Sequence, residues 1–245
     1  MKEKKTSMAN FIVFAASSGI GQSVVQNLTD SGHSVFQTAR TDSKISPDAL
    51  LDLTDFEAVQ ICFETAKNKF GKIDGVVNCS GSLLLKPAHL TNKQQFQHTI
   101  DSSLTTSFAV VRAAGQNMTE GGSVVLISSA AAMTGLANHE AIAAAKAGII
   151  GLTMSAAATY AGQNLRFNAV APGLTETTLT QSITSNPMSR KFSESMHALG
   201  RLGHADDIAR AVCFFLDPQN SWVTGQVLAI DGGLSSIQPK IKSSA

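Results

Sequence analysis

Phe11-Ile12-Val13-Phe14-Ala15-Ala16-Ser17-Ser18-Gly19-Ile20-Gly21 decides how the chain folds. Four apolar residues of strand type run into a turn of small residues, and the amphipathic stretch Gln22–Thr29 follows. A strand, a small-residue turn and a helix start, in that order, build an anion site. The first N–H groups of the helix lack intrahelical partners, the helix dipole is positive there, and small side chains let a pyrophosphate approach. Ala15, Ser17, Ser18, Gly19, Ile20 and Gly21 are therefore assigned to a phosphate cradle. Gly-x-Gly alone is a weak signal; it gains weight from standing after the first strand of an alternating chain.

Outward from this turn, short apolar runs alternate with helix-length segments. Phe11–Phe14, Ser34–Thr38, Gly75–Asn78, Ser123–Ile127, Arg166–Ala169 and Gln226–Ile230 have strand character, and the segments between them carry helical spacing. The strands are continuously apolar, as in a parallel sheet covered on both faces. The expected architecture is α/β: a Rossmann-type, doubly wound parallel sheet of about seven strands with helices on both faces. At 245 residues and 43% hydrophobic content the chain suits one domain, placed at residues 11–234 between tails 1–10 and 235–245. Residues 177–199, rich in Ser, Thr and Met, lie where a polar lid over the sheet would sit, and the chain after Gly233 resembles trailing coil.

Composition removes several function classes. A net charge of +1 leaves no footprint for nucleic acid. Lys2, Lys4 and Lys5, interrupted by Glu3, suit a solvated tail. No apolar stretch is expected to reach the roughly 20 residues that cross a bilayer, and the start MKEKKTSMAN lacks the apolar segment of a secretory signal. Cys62, Cys79 and Cys213 have neither disulfide nor metal-ligand spacing, and no histidine has another four residues away. Reduced thiols, a cytoplasmic location and no metal site are the expectations.

Five blocks make the chain resemble the short-chain dehydrogenase/reductase family. The family's first turn is Thr-Gly-x-x-x-Gly-x-Gly; Gly19 and Gly21 are present, with Phe14 for the threonine and Ala15 for the first glycine. A methyl at Ala15 is tolerable only if its φ is negative and the pyrophosphate is not pressed against it. The second strand ends Thr38-Ala39-Arg40. NAD enzymes carry a carboxylate at this place for the ribose 2′-hydroxyl. Ala39 offers none, and the forked guanidinium of Arg40 suits a 2′-phosphate, so the resemblance implies NADP(H) in preference to NAD(H). The plainer alternative is a surface arginine at a strand end. Asp52-Leu53 matches the family pair beside the adenine. Asn78-Cys79-Ser80-Gly81 matches Asn-Asn-Ala-Gly in its first and last members. Arg166–Gly173 is close to the family consensus, which implies Pro172 and Gly173 beside the nicotinamide, with Thr175 and Thr177 at the carboxamide and diphosphate. Gly200–Gly203 with Asp206–Ala209, then Thr224–Gln226 and Asp231–Gly233, complete a match over about residues 10–234.

The family's reacting group is an Asn, a Ser, a Tyr and a Lys. Spacing carries the serine to Ser129 and the lysine to Lys146; the tyrosine position is Ile142, and the asparagine position, in a helix Phe96–Ala114, is Ser103. Isoleucine has no proton to deliver, and a missing general acid lowers a rate by about 10²–10⁴-fold. Tyr160, the only tyrosine, matches a structural aromatic farther along the same helix. Lys146 has a second role in relatives, hydrogen-bonding the nicotinamide ribose.

His139, Ile142 and Lys146 fall at i, i+3 and i+7 on one helical stripe. His-x-x-Ile-x-x-x-Lys is similar to the Tyr-x-x-Met-x-x-x-Lys of enoyl-acyl-carrier-protein reductases, which reduce a C=C bond conjugated to a carbonyl. That chemistry sends hydride to the β-carbon and asks the site mainly to stabilise an enolate oxygen. Ser129 and a protonated His139 could supply this; otherwise His139 is a helix-start residue. Dienoyl-coenzyme A reductases also lack the usual tyrosine, but theirs would fall on Ala131.

The expected function is NADPH-dependent reduction of an activated C=C or carbonyl group in a small molecule. The alternative is a catalytically silent NADP(H)-binding protein serving as sensor or partner subunit. The resemblance also implies a homo-oligomer, dimer or tetramer, paired through helices at Phe96–Ala114 and about Ala137–Tyr160.

Overall fold

The computed structural model describes residues 8–41 and 45–239. The cationic run Lys2, Lys4, Lys5 and the end of the second tail lie outside the described residues. In chain order the strands are β1 (Asn10–Phe14), β2 (Ser34–Ala39), β3 (Ala49–Leu50), β4 (Gly75–Asn78), β5 (Gly122–Ile127), β6 (Leu165–Pro172), β7 (Thr175–Glu176), β8 (Gly203–His204) and β9 (Val227–Ile230). Seven form one parallel sheet ordered β3-β2-β1-β4-β5-β6-β9, while β7 and β8 pair separately. The order reverses direction between β1 and β4, which opens a crevice at their carboxyl ends.

The helices are α1 (Gly19–Asp30), α2 (Phe56–Phe70), α3 (Lys93–Ile100), α4 (Thr106–Asn117), α5 (Glu140–Tyr160), α6 (Gln181–Thr184), α7 (Pro187–Met196) and α8 (Ala205–Leu216). Successive strand residues point to opposite faces, so each strand feeds two cores. Phe11 and Val13 meet α1 and α8 through Val24, Leu28, Ile208 and Phe215. Ile12 and Phe14 meet α2, α4 and α5 through Phe63, Val110 and Ile149. Burying one such side chain contributes about 1.5–3 kcal/mol, which fixes the sheet position and hence the crevice.

The structure departs from the sequence expectations in five places. The edge strand β3 was too short to show a pattern. The helix expected at Phe96–Ala114 is α3 and α4 joined by a π-helical turn, Asp101–Thr105. Its hydroxyls compete for carbonyls one turn back: Ser102 Oγ donates to His98 O at 2.7 Å and Ser107 Oγ to Ser103 O at 2.7 Å. Such back-bonding bends helices.

Third, α5 begins at Glu140 because Asn138 has a left-handed φ of 65°, which makes His139 its N-cap. The stretch Glu140–Gln163 is long and apolar enough to cross a membrane by length and composition, correcting the expectation that none is. Here α5 packs on α4, β5 and β6. Fourth, the polar lid is two helices, α6 and α7, with Met188, Phe192 and Met196 spaced i, i+4, i+8. Asn186 caps α7 by accepting from Met188 N and Ser189 N, and Pro187 follows at its first position. Finally, the chain past Gly233 is not free coil: Ser235 N donates to Asp231 Oδ2 at 2.9 Å and Ile237 N to Gly233 O at 3.0 Å.

Candidate active site

The strand, small-residue turn and helix start form in that order, with one departure from expectation. Ala15 has a φ of +53°, not the negative value its methyl calls for. The turn leaves no choice. Ala15 O accepts Ser18 N–H at 3.0 Å, while Ala16 N donates to Thr38 O at 2.8 Å, so the peptide between them is held from both sides. The same carbonyl lies 2.4 Å from where a Cβ on Gly21 would stand, and a Cβ on Gly19 would meet Thr177 Cγ2 at 2.8 Å. Both glycines are therefore steric requirements. Ser18 caps α1 by accepting Gly21 N–H at 3.0 Å. That leaves the N–H groups of Gly19 and Ile20 without a protein acceptor among the described residues. Free N–H groups at a helix start beside glycines fit a pyrophosphate.

Along the neighbouring edge, exposed Arg40 follows β2. Asp52 accepts from Thr54 N at 2.9 Å and Thr54 Oγ1 at 2.8 Å; these bonds hold its carboxyl below the ordinary range, with the charge of Arg40 adding to them. Leu53 is buried next to it. Asn78 and Ser80 are turned inward: Asn78 Nδ2 donates to Ser107 Oγ at 3.2 Å, and Ser80 Oγ lies 2.8 Å from Thr106 Oγ1. They bind the end of β4 to α4.

A cavity of about 840 Å³ at the carboxyl ends of the strands gathers the remaining candidates. Ser129, His139, Ile142 and Lys146 line it, together with Ile20, Ser80, Gly81, Pro172, Gly173, Thr175 and Thr177. Asn78 and the other phosphate-turn and β2-edge residues lie outside it.

Lys146 is nearly fully buried; its Nζ donates to Ile127 O at 2.8 Å, and burial lowers its pKa to about 8. Gly81 leaves it room, since a Cβ there would lie 3.2 Å from Nζ. Ser128 Oγ donates to Lys146 O at 2.9 Å and fixes α5 on the end of β5. Ser129 Oγ accepts Ala131 N–H at 3.1 Å, so its own hydrogen remains to be donated. His139 Nδ1 lies 2.7 Å from Ala137 O. A carbonyl only accepts, so Nδ1 carries the hydrogen and Nε2 is left for the cavity. Ile142 is buried against the same space. Thr175 Oγ1 is turned back onto Gly173 O at 3.1 Å. Ser103 is fully buried and its Oγ has no partner among the described residues. Tyr160 stacks on Phe167, with ring centroids 5.5 Å apart, and does not line the cavity.

His197 was not foreseen. Buried at the C-cap of α7, it accepts Leu174 N–H on Nε2 at 3.2 Å, and its Nδ1–H donates to Ser193 O at 2.7 Å. It pins the lid to the corner after β6. Arg190 adds a second tie, pairing with Glu176 and, at 2.8 Å, with Glu194. The partners of His197 are backbone atoms, so no side-chain motif announces it.

A parallel sheet with a phosphate turn at its crossover, and a Ser–Lys cavity at the carboxyl ends, defines a nucleotide-dependent oxidoreductase of the Rossmann class. The chain belongs to the short-chain dehydrogenase/reductase family: residues 14–235 match the family model described as enoyl-(acyl carrier protein) reductase. It is similar to the 3-oxoacyl-[acyl-carrier-protein] reductase FabG of Thermotoga maritima, 32% identical over 241 residues, covering 91% of this chain and 96% of the relative. It is equally similar to the cis-4-hydroxycyclohexanecarboxylate dehydrogenase of Sinomonas cyclohexanicum, 32% identical with 92% and 96% covered. Among solved structures, ElxO with NADP bound superposes with a TM-score of 0.88 at 30% identity, covering 94% of this chain and all 100% of that one. The aldohexose dehydrogenase of Thermoplasma acidophilum superposes with a TM-score of 0.88 at 28% identity, covering 97% and 98%.

Proposed function

We propose that the protein is an NADPH-dependent reductase of activated C=C bonds that works without the family tyrosine. The observation that carries this is one cavity lined by Ser129, His139 and Lys146, with apolar Ile142 where the tyrosine would stand. The free N–H groups of Gly19 and Ile20 take the pyrophosphate while the turn carries about 1–2 kcal/mol of strain at Ala15, Arg40 takes the 2′-phosphate, and Asp52 and Leu53 flank the adenine. Gly81, Pro172, Gly173, Thr175 and Thr177 surround the nicotinamide end, and Lys146 hydrogen-bonds its ribose. Asn78 and Ser80 support this wall from behind. When bound, the cofactor supplies hydride to the β-carbon.

The chain's own residues meet the substrate oxygen. Ser129 donates its free hydrogen to it, which orients the carbonyl and stabilises negative charge as it grows. His139 adds a second donor in its imidazolium form; in the neutral form Nε2 presents a lone pair and helps only as an acceptor. Reduction of a plain ketone has no equivalent of the tyrosine proton. Enolate stabilisation needs less, because hydride transfer leaves an enolate whose α-carbon then takes its proton from solvent water, releasing hydroxide.

The silent alternative, an NADP(H)-binding sensor or partner subunit, is favoured by Ile142 at the position assigned to the family tyrosine together with the buried, unpartnered hydroxyl of Ser103 at the position assigned to the asparagine. Assembly into a homo-oligomer through α4 and α5 is supported by Phe108 and Met154, which are 49% and 54% exposed on those helices.

Titration of the purified protein with NADPH and NADH tests the cofactor half. Tighter binding of NADPH that Arg40→Ala abolishes is expected, and equal binding of both would refute it. Ile142→Tyr tests the other half: new ketone reduction is expected if the rest of the site is intact.

A further inference from the structure

Beyond Ser129 and Lys146 the cavity continues under the lid, and there its lining changes character. Leu83 and Leu85 line it after β4, and Leu179, Met188, Phe192 and Met196 line it from the lid. Several of these are left open: Met188 is 83% exposed and Phe192 67%. Apolar side chains so arranged lose water only when something apolar fills the space between them.

The same lining carries hydroxyls and an amide, among them Ser82, Ser129, Asn138, Ser189 and Ser193, but it is poor in charge. It contains no carboxylate and no arginine. Its cationic or ionisable nitrogen groups are Lys146, His139 and His197, and both ring nitrogens of His197 are held by backbone. Thr180 Oγ1 donates to Thr175 O at 2.5 Å and so is also occupied. The nearest lid guanidinium, Arg190, is pinned between Glu176 and Glu194. Lys86, next to Leu85, is held by Gln95 Oε1 at 3.0 Å. An acid would find no free cation here beyond those at the reacting end.

Resting on the reductase reading above, we infer that the substrate is an uncharged, carrier-free carbonyl compound with an extended apolar body. Its oxygen meets Ser129, and its hydrocarbon part lies between Leu83, Leu85 and the Met188–Phe192–Met196 face. Phe192 and Met188 are the residues that select it.

The test uses the full-length protein and a neutral, polarity-sensitive dye, N-phenylnaphthylamine, bound in the cavity and displaced by competitors. Four competitors are compared: decenal, decenoic acid at neutral pH, the decenoyl thioester of coenzyme A, and glucose. Decenal is expected to displace the dye at least about tenfold more tightly than the acid or the thioester, with no displacement by glucose. Phe192→Ser, a change at an exposed lid position, is expected to weaken decenal about tenfold, the factor that removing one aromatic contact brings. Acid or thioester binding as tight as aldehyde, displacement by glucose, or indifference to Phe192→Ser would each overturn the inference. NADPH titration of the same samples separates the two proposals: decenal binding without NADPH binding sinks the reductase and leaves an apolar carbonyl site, whereas NADPH binding without dye displacement by decenal sinks only the substrate class.

Discussion

Ala15→Gly should stabilise this protein, although it removes a side chain. Ala15 holds a φ of +53° because its carbonyl must accept Ser18 N–H at 3.0 Å while Ala16 N reaches Thr38 O at 2.8 Å. An L-residue in that region costs about 1–2 kcal/mol, whereas glycine adopts it freely. Against this, glycine gives the unfolded chain about 0.4–1 kcal/mol of extra entropy to lose. The balance is a gain of about 1 kcal/mol, or about 2–4 °C in Tm for a domain of this size. Ala15→Val, β-branched at a positive φ, should move the midpoint the other way by more. Differential scanning calorimetry of the three proteins, with and without NADPH, reads both effects. NADPH should bind Ala15→Gly no more weakly than it binds the parent. A lower Tm for Ala15→Gly, or a Val variant equal to the parent, would refute the left-handed turn.

Three further outcomes follow from buried polar groups. Lys146 is depressed to about 8 from an ordinary value of 10.5 by burial. Below about pH 8 folded and unfolded chains hold the same proton, and between about 8 and 10.5 the unfolded chain holds more. Stability relative to Lys146→Met should therefore rise with pH through that window, by a total on the order of 3 kcal/mol. Chemical denaturation of both proteins across the window checks the sign; a parallel pair of curves would contradict it. Ser103→Ala should leave stability unchanged or raise it by about 1 kcal/mol, because it deletes a buried hydroxyl with no protein partner; a loss of that size in the urea midpoint would show that the hydroxyl is satisfied. Arg166→Met should destabilise by about 3 kcal/mol, since the guanidinium donates to Val223 O at 3.0 Å and Phe215 O at 2.9 Å and holds the end of α8 to β6. Thermal melting reads this directly.

The fold was legible because apolar runs such as Phe11–Phe14 and Ser123–Ile127 have one physical outlet, a strand covered on both faces. The turn between β1 and α1 was legible because Gly19 and Gly21 stand where a Cβ would collide with Thr177 and with Ala15 O. What escaped had no side-chain periodicity to reveal it. The φ of Ala15 is set by two backbone hydrogen bonds, and His197 by two backbone partners. The lid was visible only as composition, although Asn186-Pro187 and the four-residue spacing of Met188, Phe192 and Met196 carried a helix signal. The stripe His139–Ile142–Lys146 does reach one cavity, but through an N-cap rather than a helical turn at His139.

The most direct test of the central claim is to follow NADPH and a conjugated enal with the purified protein and to identify the product. The account predicts that NADPH is consumed one-for-one, that the product keeps its carbonyl and has lost its C=C bond, and that His139→Ala slows the reaction by about 10²-fold. Tight NADPH binding without consumption, or an allylic alcohol as product, would contradict it.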